Sequence, residues 1–211
     1  MRLLLTLAFA ILLAAPATAG AITVTESWEG WYWDCILGSY GMGFPAVLAS
    51  AVSDAPCDPV DGAQVLRLTH NSSSGSPEAY VAWIRGLAPG DTVEASLWRY
   101  DVTPEMSPSC YIWGHWNDDP HDVDTRDGSA GGNEEYGPGT GWDQTSWTWV
   151  VPAESDHTGL VVEVRVAGDT GAIVWVDQMV VSAPGHADIQ VPGNVSPVEP
   201  STWGRVKDSY R

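Results

Sequence analysis

The chain has 211 residues, of which 27 are acidic and 9 basic, giving a formal charge of −18, and it holds twelve Trp and seven Tyr but only two Phe. So acidic a surface repels phosphate backbones and anionic lipid headgroups, which excludes nucleic acid as a natural partner. Phe fills cores, whereas Trp and Tyr also present flat faces with polar edges, so the aromatic choice points to rings that meet a ligand as well as rings that pack.

Residues 1–19, MRLLLTLAFAILLAAPATA, follow one Arg with an apolar run and a small-residue end, the pattern of a secretory signal. No Cys follows the cleavage point and no later apolar stretch is long enough to span a bilayer, so the expected product is secreted or extracellular, without membrane insertion. Strand-like runs then appear at Ile22–Trp28, Gln64–His70, Tyr80–Leu87, Thr92–Val102, Cys110–Trp116, Trp147–Val151, Leu160–Ala167 and Ala172–Ser182, separated by Gly/Pro/Asn/Asp turns. Eight short strands without helical periodicity predict one all-β sandwich over residues 20–184.

Three cysteines leave an odd one. Cys35 and Cys57 flank a Gly/Pro-rich stretch of 21 residues and are the expected disulfide, with Cys110 as the lone thiol, although three pairings are compatible with the sequence. Residues 117–143 form the longest irregular segment, rich in acids and glycines, and suit either a rim beside a binding face or a solvated insertion. After Pro184 the chain becomes a Pro-rich polar linker, 185–200, and ends in a short basic-aromatic tail, 201–211, which is either a docking or sorting tag for another protein or a frayed terminus. Asn71-Ser-Ser73 and Asn194-Val-Ser196 are glycosylation sequons that matter only in a host that uses them.

In GAIVWVDQMVVSAP, residues 171–184, strict alternation puts Asp177 on one face with Ile173, Trp175, Met179 and Val181. A carboxylate there needs a partner, a bulge that reaches water, or a metal ion, because burying it alone costs several kcal/mol.

Four stretches resemble the jelly-roll carbohydrate-binding modules of the cellulose- and xylan-binding type, within the galactose-binding-like β-sandwiches. Ser27-Trp-Glu-Gly30 is similar to their aromatic-Glu-Gly opening, Gly86-Leu-Ala-Pro-Gly-Asp-Thr-Val93 to a turn before a strand, Gly141-Trp-Asp-Gln-Thr-Ser-Trp-Thr-Trp-Val-Val-Pro152 to a Trp-rich segment, and Val174-Trp-Val-Asp-Gln-Met-Val-Val181 to the closing strand. The resemblance spans roughly Val24 to Pro184, and the second Asp of the closing pair is Gln178 here. It implies a two-sheet jelly roll that binds a polysaccharide or oligosaccharide without cleaving it. It also implies a structural calcium held by Glu29 and Asp177, which suits hard oxygen ligands.

The strand from Thr92 turns Val93, Ala95 and Leu97 to one face and Glu94, Ser96, Trp98 and Tyr100 to the other. Trp98 and Tyr100, joined by Tyr111, Trp113 and His115 of the next strand and by Glu163 and Arg165, carry the right parts for sugar: rings for C–H patches, paired polar groups for hydroxyls. Two alternatives stand beside this reading. One is a structural or adhesive surface sandwich that buries these rings, and the other is a glycan-active hydrolase or lyase using the acidic 117–143 loop, although no Gly-x-Ser-x-Gly, His-Glu-x-x-His or phosphate-loop motif is present.

Overall fold

In the computed structural model, which describes residues 20–30, 35–103 and 106–193, every expected run is a strand and four further strands join them. In chain order they are β1 (Ala21–Glu26), β2 (Gly38–Tyr40), β3 (Val47–Val52), β4 (Val65–His70), β5 (Glu78–Arg85), β6 (Thr92–Asp101), β7 (Ser109–Trp116), β8 (Gly128–Asn133), β9 (Gly141–Val150), β10 (Gly159–Ala167), β11 (Ile173–Pro184) and β12 (Asp188–Gln190). The first sheet runs β3-β4-β11-β6-β9, with β1 also on β11, and the second runs β12-β5-β10-β7-β8, with β2 also on β5. The ladders are antiparallel and the described residues contain no helix, so the molecule is an all-β, two-sheet jelly-roll sandwich. The expected signal at 1–19 and the tail at 201–211 lie outside the described residues. Among those described, no helix is long and apolar enough to cross a membrane.

Strand alternation explains the layers. In β10, Leu160, Val162, Val164 and Val166 turn inward to the core, while Val161, Glu163 and Arg165 turn outward. In β7, Cys110, Ile112 and Trp116 go in, and Tyr111, Trp113 and His115 share the outer side with the outward residues of β10. Facing them from the first sheet are Leu66, Leu68, Val93, Leu97, Val174, Val176 and Met179, each removed from water. Burial of such aliphatic side chains, worth about 1.5–3 kcal/mol apiece, is what holds the two sheets together.

Two expectations change here. The fold does not end at Pro184: β12 pairs with Trp83–Arg85 of β5, and Ala187, Ile189 and Val191 enter the core, so the first part of the expected linker belongs to the sandwich. A short strand between Gly- and Pro-containing turns leaves too few residues for alternation to be read. The second change concerns sulfur. No disulfide joins Cys35 to Cys57. The Cys35 Sγ accepts a hydrogen bond from the Ala51 amide at 3.2 Å. Burial, and next the charges of Asp177 and Asp58, push the Cys57 thiol up to about 11. Cys110 lies in the core, where burial raises its thiol to about 12.

Candidate functional site

Register decides which aromatic residues meet. Across the outer side of the second sheet, Tyr111 of β7, Arg165 of β10, Glu78 of β5 and Tyr40 of β2 stand opposite one another in one transverse row. The neighbouring row is Trp113, Glu163, Tyr80 and Gly38. A β-bulge at Val162/Glu163 lets β10 keep this register against β5. Five of the expected site residues, Tyr111, Trp113, His115, Glu163 and Arg165, therefore do share one face.

Trp98 and Tyr100 do not join them. They lie on the outer side of the first sheet, where Tyr100 meets Trp142 and Trp175 edge-to-face at ring centroid distances of 5.4 and 6.2 Å. The alternation within β6 was legible, but which sheet that strand enters is a matter of long-range pairing, which alternation does not encode.

Beneath the second sheet's outer side lies a charged network. His115 Nδ1 and Glu163 Oε1 are hydrogen-bonded, and both side chains are fully buried. Arg165 Nη2 forms an ion pair with Glu78 Oε1 at 2.7 Å, and its Nε donates to Glu163 Oε2 at 3.3 Å. Arg126, from the segment after β7, reaches Glu78 Oε2 and lies 3.6 Å from Glu163 Oε1. Two arginines thus compensate two buried carboxylates, the condition under which such groups are tolerated. Glu78, Glu163 and His115 also bring ligand-type atoms within 4.8 Å of one another, but the two guanidinium groups already fill the space a cation would neutralise. Glu78 was not singled out in the sequence; its only signal was its place at the edge of an apolar strand after Pro77.

Above this network Arg165 lies over the Trp113 ring, 4.3 Å from its centroid, with Nη1 left over from the two glutamate contacts. Trp113, Tyr111, Arg165, Glu134 and Ser76 line a depression of about 310 Å³. Tyr136 tilts against Tyr111 at 5.1 Å and continues its rim. Trp113 Nε1 donates to Ser129 Oγ at 3.0 Å, which fixes the indole in its plane.

Four of the five acids of segment 117–127 have structural partners for their carboxylates. Asp118 accepts from the Thr158 amide and pairs with His157, Asp119 accepts from the His121 amide, Asp122 from the Asp124 amide and Asp127 from the Asp118 amide. The remainder of the expected irregular stretch contains β8, a Gly-rich strand whose position comes from its ladder with β7.

Asp177 has a different setting from the expected one. A bulge at Gln178, with φ of 42°, interrupts the alternation, so Val176 and Met179 both point into the core while Asp177 faces outward beside Trp175. The segment 60–64 folds over it. The Val60 and Asp61 amides donate to Asp177 Oδ2 at 2.7 and 3.0 Å, and the Gln178 amide donates to Oδ1 at 2.7 Å. The Ala63 and Gln64 amides donate to Glu29 Oε1, each at 2.8 Å. Gly62 lies between, and a Cβ there would stand 2.2 Å from the Glu29 carboxyl carbon. These donor hydrogens form an anion-binding nest, the opposite of what a Ca²⁺ site requires, where loop carbonyls point inward. Glu29 and Asp177 as placed do not fit a bridging calcium; the backbone of 60–64 ties them instead.

Burial raises the carboxyls of Asp177, Asp101 and Glu78 above their ordinary values; for Glu78 the neighbouring Glu163 adds to this, and Arg126 and Arg165 offset part of it. In the window above the ordinary carboxylate values the folded state keeps protons that the unfolded chain has released, so stability falls as pH rises through it. The thermal midpoint is expected to be higher at pH 5 than at pH 7.5. A midpoint that climbs over that interval would contradict these assignments.

No known family model matches the sequence, and no curated protein does. Solved structures do resemble the fold. The tandem CBM22 modules of Paenibacillus barcinonensis Xyn10C superpose with a TM-score of 0.50 at 16% identity, covering 81% of this chain and 48% of theirs. The single CBM22-1 xylan-binding domain of the same protein gives 0.48 at 14% identity, covering 81% and 98%. The CBM22-1 and GH10 modules of Clostridium thermocellum endo-1,4-beta-D-xylanase 10B give 0.45 at 14%, covering 75% and 28%. The architecture is that of the jelly-roll carbohydrate-binding modules, a likeness of fold rather than of site.

Proposed function

We propose that this protein binds a carbohydrate chain, without cleaving it, in the depression on the outer side of its second sheet. The observation that carries the reading is the half-exposed Trp113 and Tyr111 beside Arg165, with Ser76 and Glu134 at the rim. The rings offer flat apolar faces to the C–H patches of a pyranose, while Arg165 Nη1, the Ser76 hydroxyl and the Glu134 carboxylate offer the donors and acceptors that its hydroxyls require. The shared fold with carbohydrate-binding modules supports this, and a β-linked glucan or xylan is the ligand class first to be tried.

Hydrolysis needs two carboxylates flanking the sugar. Of the residues lining the depression only Glu134 is acidic. The nearby Glu78 and Glu163 are buried and held by arginines. The expected signal at 1–19 supports a role outside the cell, and the tail remains a candidate docking element for another protein.

The direct experiment is retention of the full chain on a panel of soluble and insoluble glycans, with product analysis. Retention on at least one β-linked glucan or xylan, unchanged in a Trp98→Ala variant, is the expected result. Retention on none would overturn the proposal, and release of shorter sugars would replace it with the enzyme reading.

A further inference from the structure

The outer side of the second sheet is not an open platform. His115, Val161, Glu163, Tyr80, Trp83 and Glu78 all point outward from their strands, yet all are buried. What covers them is the segment 117–127 together with residues before β2. Val123 and Leu37 pack on Tyr80, Trp83 and Val161 as a second, separate apolar cluster.

This roof is fastened along its length. Asn117 Nδ2 donates to the carbonyls of Asp122 and Thr125 at 2.8 and 2.9 Å, closing the segment on itself, and the Asp127 amide returns to the Trp116 carbonyl. Arg85 of β5 donates to the Pro120 carbonyl at 3.3 Å, while Arg126 is held by Glu78 and lies 5.3 Å from the Tyr40 ring.

Both transverse rows are therefore interrupted at the same place. Along Tyr111–Arg165–Glu78–Tyr40, the floor is open for the first two residues and closed at Glu78, which is buried where Arg126 reaches it; Tyr40 is exposed again on the far side of that guanidinium. Along Trp113–Glu163–Tyr80–Gly38, the two middle residues, Glu163 and Tyr80, are buried, so Trp113 is cut off from the far end of the row. A glycan entering past Glu134 and Tyr136 meets a wall after crossing β7 and β10.

Resting on the carbohydrate reading above, we infer that the site takes the terminus of a glycan chain and cannot hold its interior. The depression of about 310 Å³ stands at the bottom of the usual ligand-pocket range and has room for roughly one to two sugar residues. Residues further along the chain project into solvent and add little affinity.

Calorimetric titration of the full chain with linear β-1,4-xylo- and cello-oligosaccharides of increasing length tests this. Affinity is expected to level off by about the trisaccharide, changing less than about twofold up to the hexasaccharide. Blocking one chain end, either by reduction of the reducing end or by capping of the other, is expected to abolish binding of the hexasaccharide. Affinity that rises about tenfold or more from tri- to hexasaccharide, or a hexasaccharide indifferent to both modifications, would overturn the inference while leaving carbohydrate binding intact. Absence of binding at every length would instead overturn the functional reading beneath it.

Discussion

Trp113→Ala is expected to weaken glycan binding by roughly thirtyfold, a loss of about 2 kcal/mol, typical of truncating a central aromatic anchor. The indole is both the largest ring in the depression and the surface on which Arg165 rests, so its removal takes away a stacking face and frees the guanidinium to move. The network below does not depend on it, since Glu78 and Glu163 hold Arg165 from the other side. The thermal midpoint should consequently shift little while the titration isotherm flattens. An unchanged affinity in a folded variant would move the binding site elsewhere on the molecule.

Asp177→Ala is expected to lower stability by about 2–4 kcal/mol. Three backbone amides lose their acceptor at once, and each such donor left without a partner in a covered site costs about 1–3 kcal/mol before water relieves part of it. The loss would be read as a fall in the midpoint of denaturant unfolding at unchanged slope. Because the amides of 60–64 take the place a cation would occupy, a chelator should leave the wild-type midpoint where it was. A drop of several degrees on chelation would restore calcium to this site and overturn the account of the nest.

How far the sequence reaches is clear from particular strands. Eight runs were legible because Val, Trp and Tyr alternate with polar residues strongly enough to mark both the strand and its buried side, as in β10. β8 was not, since Gly128–Asn133 has no side chain pattern to read and takes its place from the ladder to β7. Asp177 was rightly flagged as anomalous, yet its face was misread, because one residue with positive φ at Gln178 shifts the register and nothing in the letter Gln announces that conformation. The site divides in the same way. Tyr111 and Trp113 on β7, and Glu163 and Arg165 on β10, could each be grouped on one side of their own strand by alternation, and the β7–β10 ladder then brings the two groups together. The separation of Trp98 and Tyr100 from them, the contribution of Glu78, and the roof formed by 117–127 depend on contacts between distant segments, which periodicity cannot supply.

The pairing of β1 with the second half of β11 and of β12 with β5 also governs how the protein comes into being. Thr23 meets Ser182 across 159 positions of chain, and the core is completed by Ile189 and Val191. A nascent polypeptide halted before residue 188 leaves Trp83–Arg85 of β5 without the β12 ladder and the core without Ile189 and Val191. Completion of the fold therefore waits for residues 188–191, and contacts of such long sequence separation make folding slow once begun. That delay leaves the apolar strand β5 without its full complement of partners until β12 is made, the condition in which unpaired strand edges aggregate.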